Sequence, residues 1–308
     1  MAQNPFSDQV RLLMQLLPSV AKAECFALKG GTAINLFLRD MPRLSVDIDL
    51  AYLPVQDRDT SLTAIDLALE GIASDIAMQM PDCVIQFSVL KGTDKRFKLT
   101  VQRGEVLVKI EVTPVLRGSV YPAGQRVVSG RVQATYGYAS MQLLSFEDIF
   151  AGKLCAALDR QHPRDIFDVM LLLENEGMTP RLVDAFLVYL MGHNRPMAEL
   201  LDPKFQDMKA LFDADFAGMT FEPISLDVLE EVRERMVQTV RRMLTRNDRH
   251  FLLSVKRGDV DWREFSVPDV EKLPAIQWKL HNLSRMDAVK RAEAVRKLEA
   301  VLSGESHV

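Results

Sequence analysis

Cysteine is scarce in this sequence. Its 308 residues hold three, Cys25, Cys83 and Cys155, scattered and odd in number. Neither a disulfide framework nor a CxxC metal pair follows from that spacing. Long apolar runs are absent too. None approaches the ~20 residues that span a bilayer, so no membrane segment is expected. The N-terminal stretch MAQNPFSDQVRLLMQLLPSV mixes acidic and polar positions with apolar ones. It lacks the basic start and unbroken apolar run of a secretory signal. A reduced, cytoplasmic protein is the expectation. Nor is positive charge in excess: Lys+Arg 38 against Asp+Glu 42 leaves a net charge of -4. That excludes a uniformly basic nucleic-acid binder but leaves room for a local basic patch. The five histidines, His162, His193, His250, His281 and His307, show no metal-ligand spacing. No GxSxG or P-loop pattern occurs either, so zinc, serine-hydrolase and ATPase chemistry have nothing to rest on.

What is present is ample material for a core, 48% hydrophobic residues, and a length that suggests two domains of roughly 150 residues each. In the first half, residues 8–23 read as an amphipathic helix with Val10, Leu13, Leu17 and Val20 on one stripe. ECFALKGG reads as a strand entering a glycine turn, TAINLFLRD as a helix and RLSVDIDLAYL as a strand. A second helix covers 58–80. CVIQFSVL, RFKLTVQR and GEVLVKIEVTPV are three strand candidates. From SFEDIFAGKLCAAL onward the pattern is helical, with helices expected at 164–175, 180–191, 198–212, 226–246 and 285–302. The expected organisation is an α/β (α+β) domain with a mixed sheet at 1–140 and a helical domain at 141–308, with the seam near 138–144. Trp262 and Trp278 are expected to pack the second domain.

Two neighbouring features carry chemistry. The first is Lys29-Gly30-Gly31-Thr32 at a strand-to-helix junction. Paired glycines let backbone N–H groups approach an anion closely, and the helix start adds partial positive charge. That suits a nucleoside triphosphate; the plain alternative is a turn and nothing more. The second is Ser45-Val46-Asp47-Ile48-Asp49-Leu50. Strand alternation turns Asp47 and Asp49 to one side and the apolar residues to the other. Two adjacent carboxylates repel unless water or a divalent cation intervenes, and oxygen-only ligands suit Mg²⁺. The alternative is a strand with a solvated polar face. In VKIEV, Glu111 is a lone acid on a strand with one apolar face. Beside the Asp47–Asp49 strand it would complete a carboxylate triad able to hold two metals; the alternative is a solvent-facing Glu on a strand of alternating polarity.

In this order these segments resemble the signature of the polymerase-β-like nucleotidyltransferases: a glycine turn, a short helix, then alternating acids. More narrowly, LKGGTAINLFLRD, RLSVDIDL, KIEV and FAGKLCAALDRQHPRDIFDVMLL resemble the AbiEii/AbiGii family of bacterial toxins, which includes MenT-type nucleotidyltransferases. The resemblance is close over residues 24–175 and extends loosely to LPAIQWKLHNL. It implies a polymerase-β-like fold, an NTP substrate, Mg²⁺ and a cognate antitoxin partner. It places metal and triphosphate on Gly30, Gly31, Asp47 and Asp49, and requires Lys153 and Asp168 for activity, so that the second domain contributes to the site. Nucleotide-binding candidates are thus Lys29, Gly30, Gly31, Thr32, Ser45 and Arg160. Lys153 sits in the otherwise apolar helix FAGKLCAAL between small residues, where an ammonium needs solvent, an acid or a phosphate. A Lys–Asp bridge tying two helices is the structural alternative. In some relatives the antitoxin phosphorylates a Ser or Thr at the place of Ser45. A phosphate there, with charge about -1.5 to -2, would compete for the metal and repel NTP.

The acceptor in some relatives is a tRNA 3′ end. The densest basic run here is Arg233, Arg235, Arg241, Arg242, Arg246, Arg249, His250, Lys256 and Arg257; a second is Lys290, Arg291, Arg296 and Lys297. The first is open to two readings, a solvated helix face and a face that tracks a phosphate backbone. The function expected is a nucleotidyltransferase toxin acting on RNA. The rivals are a non-catalytic NTP- or partner-binding module and a nucleotidyltransferase of small molecules.

Overall fold

A computed structural model describes residues 5–304. His307 and the first four residues lie outside them. The chain separates into two compact units. One comprises Met1–Ile149 with Gly218–Pro223, the other Phe150–Ala217 with Ile224–Val308.

The first unit runs α1 (Pro5–Ala21), β1 (Phe26–Lys29), a single turn α2 (Gly30–Thr32) continued as a π-helix (Ala33–Leu38), β2 (Asp47–Tyr52) and α3 (Arg58–Gln79). It goes on through β3 (Val84–Val89), β4 (Arg96–Arg103), β5 (Val106–Val112), β6 (Gly124–Val127), α4 (Gly130–Tyr136) and β7 (Ser140–Leu143). All seven strands join one sheet in the order β3-β4-β5-β2-β1-β7-β6. The sheet is mixed, as expected: β2 lies parallel to β5 and antiparallel to β1. Period-2 patterning divides its faces. Ile48 and Leu50 of β2, Leu99 and Val101 of β4, and Val108, Ile110 and Val112 of β5 are buried. The stripes of α1 (Val10, Leu13, Leu17, Val20) and α3 (Leu62, Ile65, Leu69, Ile72, Ile76) are buried too, and the helices pack against β5 and β7 and against β4. Each such side chain contributes about 1.5–3 kcal/mol. Asp57 caps α3, its carboxylate accepting from Thr60 N at 2.9 Å. β6, α4 and β7 are additions to the sequence reading. The residues of β6 are all exposed, so no alternation marks it as a strand.

The second unit is helical. α5 (Phe146–Arg160) crosses the division. It is followed by α6 (Pro163–Asn175), α7 (Pro180–Gly192), α8 (Met197–Leu201), α9 (Lys209–Asp215), α10 (Leu226–Met243), α11 (Arg246–Arg257), α12 (Pro274–Ser284) and α13 (Ala288–Ser303). Pro163, Pro180 and Pro274 open their helices at positions whose N–H would be unbonded anyway. Three expectations need correction. The helix at 198–212 is two short ones, α8 ending just ahead of Pro203, which cannot continue it. The helix at 226–246 ends at Met243. A new one starts where Thr245 and Asp248 form a reciprocal capping box, a spacing legible in TRND. Trp278 does not pack the interior, being 54% exposed; Trp262 does meet Phe251 edge-on.

The run at 233–257 is not one basic face. Arg233 is buried, donating to Gln206 O at 2.6 Å with its guanidinium over the Phe205 ring. Arg241 bonds Leu201 O and Asp202, Arg249 bonds the carbonyls of Leu244, Arg241 and Leu302, and Lys256 is buried. The three arginines close helix ends and loops. Arg242, Arg246, His250 and Arg257 remain exposed.

Candidate active site

Asp47 and Asp49 open β2 two residues apart and so share a face. The register places Asp47 beside Lys109 of β5, and Asp49 between Glu111 of β5 and Lys29 of β1. Lys29, Asp47, Asp49 and Glu111 are therefore brought to one patch of the sheet. The carboxylate of Glu111 lies 3.4 Å from the Lys98 ammonium. Among the described residues, no three acidic, His or Cys side chains close up into a metal-holding group. The donor set on β2 is thus two carboxylates. That fits Mg²⁺, which takes one or two carboxylates and fills its remaining positions with water and substrate phosphate. Neither His nor Cys stands in that set, the ligands that zinc sites are mostly built from.

The glycine turn lies directly on this pair. Lys29 is extended, and Gly30 follows at φ +72°, the left-handed region. A Cβ on Gly30 would stand 2.6 Å from Asp49 Oδ2, and one on Gly31 would stand 2.9 Å from a guanidinium nitrogen of Arg43 and from Ser45 Oγ. Thr32 Oγ1 donates to the Asp47 carbonyl and lies 3.0 Å from Ser45 Oγ. Asn35 Nδ2 donates to Gly31 O at 2.9 Å. These bonds pin the helix start to β2 and hold the turn's backbone against the acid pair. Gly30→Ala is expected to lose most nucleotide transfer and to destabilise the fold by about 1–2 kcal/mol through the left-handed backbone alone. Transfer rate and thermal midpoint check this, and unimpaired transfer would remove the turn from the site.

Arg43 is the residue sequence reasoning missed. It is buried, Nη1 donates to Leu44 O at 2.9 Å, and its guanidinium touches the place a Gly31 side chain would take. The segment Gly218–Pro223 is laid alongside it: Arg43 bridges to Thr220, and Leu44 N donates to Met219 O at 2.9 Å. Arg43 stands within RLSVDIDL, but a single arginine there reads no differently from a surface one. Ser45 is also buried, its hydroxyl against Thr32.

In the second unit, Lys153 on α5 and the start of α6 form a buried ionic cluster. Lys153 Nζ is 2.7 Å from Asp165 Oδ1 and 3.0 Å from Asp168 Oδ2, and all three residues are buried. Arg160 grips Asp165 with two bonds, Nε to Oδ2 at 2.6 Å and Nη2 to Oδ1 at 3.1 Å, while its own side chain stays 59% exposed. Burial pushes the Asp165 carboxyl up. Lys153 and Arg160 outweigh that and hold it well below the usual carboxylate range. Lys153 thus has two acid partners rather than Asp168 alone, and Asp165 is the one shared with Arg160. The space left by Gly152 is taken by the Tyr189 ring, 3.3 Å from where a Cβ would be.

The family model for the nucleotidyl transferase AbiEii toxin of type IV toxin–antitoxin systems matches residues 11–282. The chain belongs to the AbiEii nucleotidyltransferase toxin family. A search of curated proteins finds no match. Among solved structures the chain is similar to MenT4, a nucleotidyltransferase toxin from Mycobacterium tuberculosis H37Rv. The two share 13% identity over 96% of this chain and 93% of that one, with a TM-score of 0.55. At that identity the likeness is one of fold. AbiEii membership brings an NTP substrate and an antitoxin partner with it. No helix among the described residues is long and apolar enough to cross a membrane.

Proposed function

We propose that this AbiEii protein transfers a nucleoside monophosphate from an NTP to the 3′-hydroxyl of an RNA, tRNA being the foremost candidate, in the cytoplasm. The observation that supports this best is the seating of Gly30 against the Asp49 carboxylate. It puts an anion-accepting backbone turn and a metal-type acid pair in one place. The acceptor oxygen attacks the α-phosphorus. A new P–O bond forms as the bond to the bridging α–β oxygen breaks, pyrophosphate leaves, and the hydroxyl proton passes to water or a carboxylate. Backbone N–H groups of Gly30, Gly31 and Thr32 cradle the triphosphate, and Lys29 adds charge beside it. Asp47 and Asp49 would hold Mg²⁺, which when bound polarises the phosphoryl oxygens; Glu111 is the neighbouring carboxylate available as further ligand or base. Lys153 and Asp168 are proposed to be required for transfer, with Asp165 and Arg160 fixing Lys153's surroundings. Phosphorylation of Ser45 by an antitoxin would place about two negative charges beside Asp47. It requires the Thr32–Ser45 contact to open first.

The test is to incubate the protein with Mg²⁺, each α-labelled NTP in turn and total RNA. Label is expected on RNA and is expected to vanish with a chelator. NTP binding with no covalent label would favour a binding module instead. Label on a small molecule but not on RNA would overturn the acceptor.

A further inference from the structure

The sheet of the first unit has an open face that the nucleotide site only partly uses. On β3, β4 and β5 the residues that share the face of Asp47 and Asp49 include Gln86, Ser88, Lys98, Thr100, Gln102 and Lys109. Their strand neighbours Leu99, Val101, Val108 and Ile110 are buried on the other side. Glu111 is the one acid on these three strands, and Lys98 answers it at 3.4 Å. Lys109 differs. It is exposed and in register with Asp47, and among the described residues its ammonium has no hydrogen-bond or ion-pair partner. Val84 and Leu107 share this face too, but Gln86, Thr100 and Lys109 stand in one cross-strand row of amide, hydroxyl and ammonium donors that runs inward from the sheet edge and ends at Asp47.

We propose that this strip is the track for the phosphodiester backbone of the acceptor, with Lys109 seating the acceptor's terminal phosphate beside Asp47. The inference rests on the RNA-acceptor reading above. Two arguments separate Lys109 from the triphosphate. The glycine turn and Lys29 flank the acids on the β1 side, and Lys109 flanks them on the β5 side. In-line displacement needs the entering hydroxyl and the leaving pyrophosphate on opposite sides of the phosphorus. A triphosphate on the β1 side therefore leaves the β5 side to the acceptor. Donors of this kind bind phosphate oxygens whatever the base, which gives orientation without sequence readout. The basic stretch at 233–257, the rival track, has four of its cations committed to internal bonds or buried.

Lys109→Gln and Gln102→Lys test this in the full chain. The probes are 5′-fluorescein-labelled bulk tRNA, bound without NTP over a range of salt, and steady-state transfer to the same tRNA. Lys109→Gln is expected to weaken tRNA binding and raise KM for tRNA about three- to tenfold. It should lower the slope of log affinity against log salt by about one and leave KM for NTP unchanged. Gln102→Lys is expected to tighten binding and steepen that slope. A rise in KM for NTP alone would place Lys109 on the triphosphate and overturn the track. Unchanged tRNA binding and slope in both variants would overturn it as well, with the RNA reading intact. Wild-type protein that neither binds nor labels tRNA overturns the RNA reading and the track together.

Discussion

Asp47→Ala is expected to reduce nucleotide transfer by about a thousandfold or more and to relieve growth arrest in cells expressing the protein. Loss of residues that merely support a metal ligand costs 10- to 100-fold, so loss of one of two direct carboxylates costs more. The fold is expected to survive, because the backbone of Asp47 ties β2 to the glycine turn. Its carbonyl accepts the Thr32 hydroxyl, and alanine keeps that carbonyl. The apolar side of β2 is built by Ile48 and Leu50, which stay buried. Removing one of two neighbouring carboxylates also relieves their mutual repulsion. Circular dichroism and thermal melting should therefore match wild type within a few degrees while labelled product disappears. Equal toxicity of the two proteins would refute the assignment of the acid pair. A variant that melts far below wild type would instead make Asp47 a fold residue.

The acid pair and the glycine turn are legible in the sequence for a physical reason. Each depends on contiguous residues: strand alternation sets the common face of Asp47 and Asp49, and the left-handed turn needs Gly30. Alternation alone sets Glu111 opposite the apolar face of its strand, but its place beside Asp49 is fixed by the pairing of β2 with β5, which no local pattern records. Its engagement by Lys98 did not follow, because strand pairing across β4 and β5 fixes that neighbour. Arg43 and the segment Gly218–Pro223 were hidden for the same reason: their contact joins positions about 175 residues apart in the chain, and no local pattern records it. The cations at 233–257 were misread because periodicity reports which residues share a helix face, not whether that face looks outward. The break after Met243 was readable, since Thr245 and Asp248 stand at capping-box spacing. It was missed because helical periodicity on both sides masked it.

Asp165→Asn is expected to have the largest effect on stability, toward the ~3–5 kcal/mol of a broken buried ion pair, because Lys153 loses its nearer acid and Arg160 its fork partner. The carboxylate of Asp165 faces Lys153 Nζ at 2.7 Å and the Arg160 fork at 2.6 and 3.1 Å. Arg160 can turn to water, but buried Lys153 cannot and is left with Asp168 alone at 3.0 Å. The pH dependence has a definite sign. A carboxyl held below its usual range stabilises the fold above the unfolded value of about 3.9 and loses that contribution as pH falls through the folded value. The gap in melting temperature between wild type and Asp165→Asn should therefore be full at neutral pH and shrink under strong acid, as the carboxyl takes up its proton. A gap that widens in acid would contradict the ionic account. Lys153→Met combined with Asp165→Asn and Asp168→Asn removes the buried ammonium together with both acids that face it, and should recover much of the lost stability. Transfer is expected to stay lost in that triple variant. Recovery of both stability and transfer would make the cluster a helix tie with no part in the chemistry. Recovery of stability alone would show that the reaction needs the charged cluster itself, an ammonium held by two acids on the first turns of α6.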